Sequence, residues 1–136
     1  MTNVITWVKV GSATVCSVLS YMVGGFDALL QVLLVLSVID YITGVSAAVA
    51  TKTLSSKTGF IGILKKLAIL CVVACAHLLG QTLGLAQIRS AVIGFYIANE
   101  GISIAENSAS LGVPLPKKLM EILNQLKDKE EDEDDL

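Results

Sequence analysis

Charge is what this chain of 136 residues has little of: 16% of its side chains are Asp, Glu, Lys or Arg, against about 25% in an ordinary soluble domain. So small a polar complement cannot wrap an apolar core of this proportion, which excludes the usual water-soluble globule. Ten basic residues face twelve acidic ones, so no basic surface for nucleic acid is expected. One histidine and three cysteines lack the spacing of a four-ligand metal site, and neither metal nor cofactor is expected. Cys71 and Cys75 stand four apart on one apolar stretch, an arrangement for side-by-side packing rather than a disulfide. The sequence contains no Gly-rich phosphate loop, serine elbow or zinc-protease motif, so an enzyme is not expected.

What is abundant is apolar sequence, roughly 60% when glycine is counted, against the usual 45–50%. It is gathered into long runs at residues 10–26, 28–51, 67–88 and 90–112, the second broken only by Asp40. A bilayer core about 30 Å thick takes about 20 mostly apolar residues as helix. The first three runs meet that measure outright. The chain therefore reads as an all-α integral membrane protein of three to four transmembrane helices, with residues 1–116 as the membrane domain. Lys9 ahead of the first run resembles the start of a signal peptide, but no small-x-small cleavage site follows.

Charge sets the expected orientation. Lys52, Lys57, Lys65 and Lys66 form the largest basic excess of any short connection and contain no acid among them. The positive-inside rule places that connection in the cytoplasm. By alternation the amino terminus is cytoplasmic, the turn at Asp27 lies outside, and the third helix emerges near Arg89. If residues 90–112 span, the carboxyl-terminal segment returns to the cytoplasm.

The fourth run is three-sided. Ala91, Gly94, Ala98, Gly101, Ala105, Ser108 and Gly112 recur at alternating intervals of three and four, a seam of small side chains along which two helices can approach closely. Tyr96, Asn99, Glu100, Ser103, Glu106, Asn107 and Ser110 share a polar arc, and Ile93, Ile97 and Ile104 lie between the two. Of these, Asn99, Glu100, Ser103, Glu106 and Asn107 are the candidate pore-lining residues. A lone helix of this kind would lie in the interface, since each intramembrane charge costs roughly 2.5–3.5 kcal/mol on insertion scales. Homo-oligomers that join the small seams and turn the carboxylates towards water make a fourth span tenable. Asp40, near the middle of the second run, requires protonation, a partner or a polar cavity. Small residues four apart also occur at Ala76, Gly80 and Gly84, and at Gly44 and Ala48.

Beyond Gly112, Pro114 and Pro116 end the helix. Leu119, Ile122, Leu123 and Leu126 then recur at helical spacing, predicting a short amphipathic cytoplasmic helix. The terminal KDKEEDEDDL is too charged to bury and is expected to be a disordered acidic tail, so residues 117–136 form a second, cytoplasmic unit.

Two blocks carry a family resemblance: DYITGVSAAVATKTLSSKTGFIGILKK at residues 40–66, and GFYIANEGISIAENSASLGVPLPKKL at residues 94–119. In the first it rests on Asp40, Gly44, Ala48, Ser55, Gly62, Lys65 and Lys66; in the second on Glu100, Ser103, Glu106, Asn107, Gly112, Pro114 and Pro116. The chain resembles the toxin-secretion and phage-lysis holin family of small membrane proteins from phages and clostridia. That resemblance implies a protein of the host bacterial cytoplasmic membrane that oligomerises and, at a set time, opens lesions through which an endolysin, or a toxin, passes. Some holins make an inhibitory partner from a second nearby start codon, whereas the next methionine here is Met22, inside the first run. The residues alone also admit a small four-span transporter or ion channel using Asp40, and a non-lytic membrane scaffold or antiholin.

Overall fold

The computed structural model describes residues 1–119 and 121–122, and among them the chain forms four long α-helices and no strand. They are α1 (Thr2–Met22), α2 (Ala28–Ala50), α3 (Ser56–Leu83) and α4 (Gln87–Ser110). Local signals set their limits. Asp27 caps α2 by accepting from the Leu30 amide at 3.0 Å, and Ser55 caps α3 by accepting from the Thr58 amide at 3.1 Å. Gly84, in the left-handed conformation with φ 67°, closes α3. After α4 the Val113 amide returns to the Ser108 carbonyl at 3.0 Å, around Gly112 at φ 78°. Of the expected tail helix, residues 117–119 and 121–122 are helical and exposed, while its remainder and the acidic terminus lie outside the described residues.

Helices α2, α3 and α4 make the bundle, with α4 parallel to α2: Arg89 at the start of α4 meets Asp27 at the start of α2, and Asn107 near its end meets Asp40 and Thr43. Their core is small: Leu30, Leu33, Val73 and Ile93 are fully enclosed, flanked by Ile69, Leu70 and Tyr96. The outer surface is a continuous display of large apolar side chains, Val35, Ile42, Phe60, Leu67, Leu79 and Phe95 among them. Soluble monomers rarely expose apolar patches beyond a few hundred Å². An inside-out distribution of this kind belongs to a protein solvated by lipid tails, where packing and polar contacts hold helices together. Helices α1, α2 and α3 are each long and apolar enough to cross a membrane. The protein is an all-α membrane protein.

Helix α1 stands apart. It contains no buried residue and meets the bundle mainly at its carboxyl-terminal end, beside α3.

Three elements differ from their expected limits, α4 running over Gln87–Ser110 rather than residues 90–112. The third helix begins at Ser56 rather than residue 67, because the Ser55 cap starts it ahead of the apolar run and lysine is a good helix former. Only Lys52 of the four lysines therefore lies in the connection; Lys57, Lys65 and Lys66 belong to α3. The first helix likewise begins at Thr2, eight residues before the apolar run.

Candidate functional site

The bundle interior holds a charged cluster. Lys66, almost three turns into α3, donates to Asp40 Oδ2 on α2 at 2.5 Å and also to Glu100 Oε2 on α4. Glu100 is fully buried, and Asp40 and Lys66 are half-buried. One ammonium thus serves two carboxylates from two other helices, and with all three ionised the cluster carries one surplus negative charge. Asn107, two turns beyond Glu100, donates to Asp40 Oδ1 at 3.1 Å and to Thr43 Oγ1 at 3.2 Å. No buried side-chain nitrogen or oxygen among the described residues lacks a partner. That completeness matters in a low-dielectric interior, where an unpaired charge is far costlier than a paired one.

Close helix approach is what lets these groups meet. A Cβ added at Gly44 would lie 3.4 Å from Asn107 Nδ2, and one at Gly62 would lie 3.2 Å from the Tyr41 ring. Beside the cluster, towards the α2–α3 connection, is a cavity of 380 Å³ lined in part by Asp40, Tyr41, Lys65, Ser103, Glu106 and Asn107. It combines an apolar wall with charged and hydrogen-bonding groups.

A second polar locus closes the opposite end. Arg89, buried in the first turn of α4, donates to the Val23 carbonyl at 2.5 Å, the Gly25 carbonyl at 3.1 Å and the Asp27 carboxylate at 2.6 and 3.2 Å. It pins the α1–α2 turn to α4. The hydrogen bond from Arg89, reinforced by the Leu30 amide, holds the Asp27 carboxyl below its ordinary range. Gly24 makes the fit possible: its φ is 83°, and a Cβ there would come within 2.5 Å of His77 Nδ1 and 2.6 Å of Arg89 Nε. His77 is thus half-buried against the turn, in contact with a helix connection.

The structure distributes the sequence-derived site residues as follows. Of the polar arc, Glu100 and Asn107 join Asp40 and Lys66, Ser103 and Glu106 line the cavity, and Asn99 is exposed. Glu100, Ser103, Glu106 and Asn107 thus face the interior of a single chain, and Asn99 does not. Of the small seam, Ala91, Gly94, Ala98 and Gly101 are exposed, with open space beyond both glycines, whereas Ala105 is buried and Ser108 half-buried. Ile93, placed by sequence between the arcs, is a core residue because α4 turns that flank onto Leu30, Leu33 and Val73. Ala76 and Gly80 are buried, but Gly80 makes room for the α3–α4 connection: a Cβ there would be 2.8 Å from the Leu85 carbonyl oxygen.

Sequence reasoning missed the pairing role of Lys66 and the clamp made by Arg89. The available signal for Lys66 was the Ser55–Thr58 cap pattern, which carries helix through the basic stretch. For Arg89 no local pattern marks a partner 62 residues away.

Comparison with known proteins gives a consistent result. A sequence model of the bacteriophage holin family matches residues 17–128. The chain is 42% identical over 131 residues to an uncharacterized 14.9 kDa protein of Clostridium perfringens, covering 95% of this chain and 99% of that one. An uncharacterized protein of Halalkalibacterium halodurans is 41% identical over 125 residues, covering 88% and 93%. A protein of Bacillus phage phi105 described as a probable holin is 38% identical over 96 residues, covering 70% of this chain and 71% of its own. No solved structure matches. An apolar bundle with a fully paired polar interior and a family match across most of its length leads to one assignment: the chain belongs to the bacteriophage holin family.

Proposed function

We propose that this protein is a holin that accumulates in the cytoplasmic membrane of a bacterial host, assembles into homo-oligomers and opens lesions that release an endolysin to the cell wall. The observation that carries the reading is the division of α4: Glu100 and Asn107 of its polar arc are paired inside the chain while Ala91, Gly94, Ala98 and Gly101 lie uncovered on another face. Pairing lets the carboxylates enter the bilayer as part of a nearly neutral cluster, which lowers the cost of insertion. The uncovered small face then offers close backbone packing to another copy. In this mechanism crowding joins the α4 seams, the bundle loosens around the 380 Å³ cavity, and Ser103, Glu106 and Asn107 wet a shared lumen.

The orientation that accompanies this reading has four spans, with the Lys52 connection and the amino terminus in the cytoplasm and the Arg89 clamp outside. Lys52, Lys57 and Lys65 support it, since all three lie exposed towards the α2–α3 end. A cation-exchanging transporter would require Asp40 to release its protein partners during each cycle, and both Lys66 and Asn107 hold it.

The test is inducible expression in bacteria that carry a cytoplasmic murein hydrolase lacking an export signal, with optical density and membrane potential followed together. Abrupt collapse of potential followed at once by lysis is the expected result. Collapse without lysis would reduce the lesion to a small ion pore, and neither response would overturn the holin reading.

A further inference from the structure

The apolar core and the charged cluster are stacked in register. Two turns on from each member of the cluster, towards the Arg89 end of the bundle, stands a fully enclosed aliphatic side chain: Leu33 seven residues from Asp40 on α2, Val73 seven from Lys66 on α3, and Ile93 seven from Glu100 on α4. Seven residues are about 10 Å of helix, so an apolar layer closes the bundle on that side of the charges. On the other side runs the 380 Å³ cavity. Its lining extends from Asp40 to Ala48 on α2 and from Lys66 back to Thr58 on α3, about 12 Å of each helix, with Ser103, Glu106 and Asn107 of α4 along it. The charges thus sit at the inner end of a polar-lined recess that starts at the α2–α3 connection and stops at Leu33, Val73 and Ile93.

Charge inside that recess does not balance. With Asp40, Lys66 and Glu100 ionised, the cluster is one negative charge in excess. The other charged groups that line the recess among the described residues, Lys65 of α3 and Glu106 of α4, cancel in sign, and Tyr41 of α2 is neutral. Glu100, 2% exposed, holds its carboxylate where an uncompensated charge is costliest. A metal cation is repelled from the point where charge is needed, because the Lys66 ammonium already stands between the two carboxylates, whose bonded oxygens are no more than about 5 Å apart. A proton is not, since it adds to a carboxylate oxygen and leaves the ammonium in place. Asp40 is further held in its ionised form by the Asn107 amide at 3.1 Å, which makes Glu100 the seat for the proton.

We infer that the Asp40–Lys66–Glu100 cluster is a proton-binding site: Glu100 takes up one proton, delivered along the recess from the α2–α3 side and barred from the Arg89 side by the layer of Leu33, Val73 and Ile93. With the proton bound, the cluster is neutral and ties α2, α3 and α4 together. With the proton lost, it carries its excess charge into the bundle and that tie weakens. The site belongs to the closed single chain and does not depend on assembly into lesions.

Infrared spectroscopy of the full chain in lipid vesicles tests the proton directly. A protonated-carboxyl band is expected at about pH 6, where exposed carboxylates are ionised; it should fade as the pH rises, be missing from Glu100→Gln and be unchanged when sodium replaces potassium. No band in the parent, a band that persists in Glu100→Gln, or one that responds to the cation at constant pH overturns the inference. Stability gives a second readout. The folded chain then binds a proton that the unfolded chain does not, so stability falls as the pH rises. Above about pH 6 the unfolding equilibrium constant should increase by up to about tenfold per pH unit in the parent and stay level in Glu100→Gln; a level profile in the parent overturns the inference. Sidedness is read with a membrane-impermeant thiol reagent in a chain with Cys16, Cys71 and Cys75 replaced by serine. Ser103→Cys should be labelled from the same face as Lys52→Cys in the α2–α3 connection, and Leu34→Cys, packed against the apolar layer, from neither face. Labelling of Ser103→Cys from the opposite face or from neither, or labelling of Leu34→Cys, overturns one-sided access. Absence of both lysis and potential collapse would overturn the holin reading and leave these measurements standing.

Discussion

Asn107 of α4 and Asp40 of α2 meet across 67 positions of sequence, the amide nitrogen donating to the carboxylate at 3.1 Å and reaching the Asp40 backbone carbonyl at 3.4 Å. This contact fixes the most extensively packed helix pair in the bundle in one register, and it fills the space that Gly44 leaves open. A hydrogen bond to a charged group contributes about 1.5–3 kcal/mol. Asn107→Leu should therefore destabilise the α2–α4 pair by about that amount, read as lower resistance of the detergent-solubilised monomer to thermal unfolding. Asn107→Gln, which keeps the donor on a longer stem, should recover part of the loss.

Lys66 is the only cation bonded to the two central carboxylates among the described residues. Lys66→Met strands both acids, and breaking a buried pair in this way costs roughly 3–5 kcal/mol. The variant should accumulate poorly in membranes, measured as protein half-life after a pulse of expression. Combining Lys66→Met with Asp40→Asn and Glu100→Gln removes all three charges and should restore accumulation. If the triple variant is no better than the single one, the lysine acts through its volume rather than its charge.

The outer clamp has a pH dependence whose sign follows from Asp27. Its carboxyl titrates below its ordinary value of 3.8, chiefly because Arg89 hydrogen-bonds the ionised form. A group whose folded-state pKa is depressed stabilises above its unfolded value and loses that contribution as the pH falls through the folded one. The α1–α2 turn should thus be firmly held at neutral pH and loosen only below about pH 4. Proteolysis or amide exchange at residues 23–27, followed across pH, measures it. Asp27→Asn should flatten the profile while raising exchange at neutral pH.

Gly24 and Gly25 separate two causes of glycine dependence. Both have positive φ, 83° and 98°, but only Gly24 faces neighbours, with His77 and Arg89 inside 3 Å of where a Cβ would stand. Gly25→Ala meets conformational strain alone, about 1–2 kcal/mol. Gly24→Ala adds displacement of the Arg89 side chain and should cost clearly more. Comparing thermal unfolding of the two variants, each with and without Arg89→Ala, shows whether the excess disappears when the arginine is gone.

Much of the fold was legible because apolar run length and charge position are local properties. The second helix is predicted over residues 28–51 and observed as Ala28–Ala50. The need of Asp40 for a partner was also readable, since a carboxylate in mid-span admits few environments. Its partner was not. Lys66 counts as a loop residue when charges mark helix ends, and only the bundle shows it bending inward between two acids on other helices. The three faces of α4 were predicted by periodicity, but periodicity does not say which face meets its own chain. Ile93 illustrates this: the same wheel position serves equally for lipid or for a core, and the packing of α2 and α3 decides it.

Gly101 gives the sharpest separation of folding from assembly. It lies on the uncovered flank of α4, one residue from the buried Glu100, and nothing stands within 4 Å of a Cβ built there. A larger side chain can therefore project outward without disturbing the single chain, and replacing glycine inside a helix with leucine favours the helix by several tenths of a kcal/mol or more. The same side chain would hold apart two backbones that need to pack closely. Gly101→Leu should accordingly insert and accumulate as the parent does, yet delay lysis severalfold or abolish it. Lysis onset at matched membrane abundance is the deciding measurement, because unchanged onset would remove this face of α4 from the assembly.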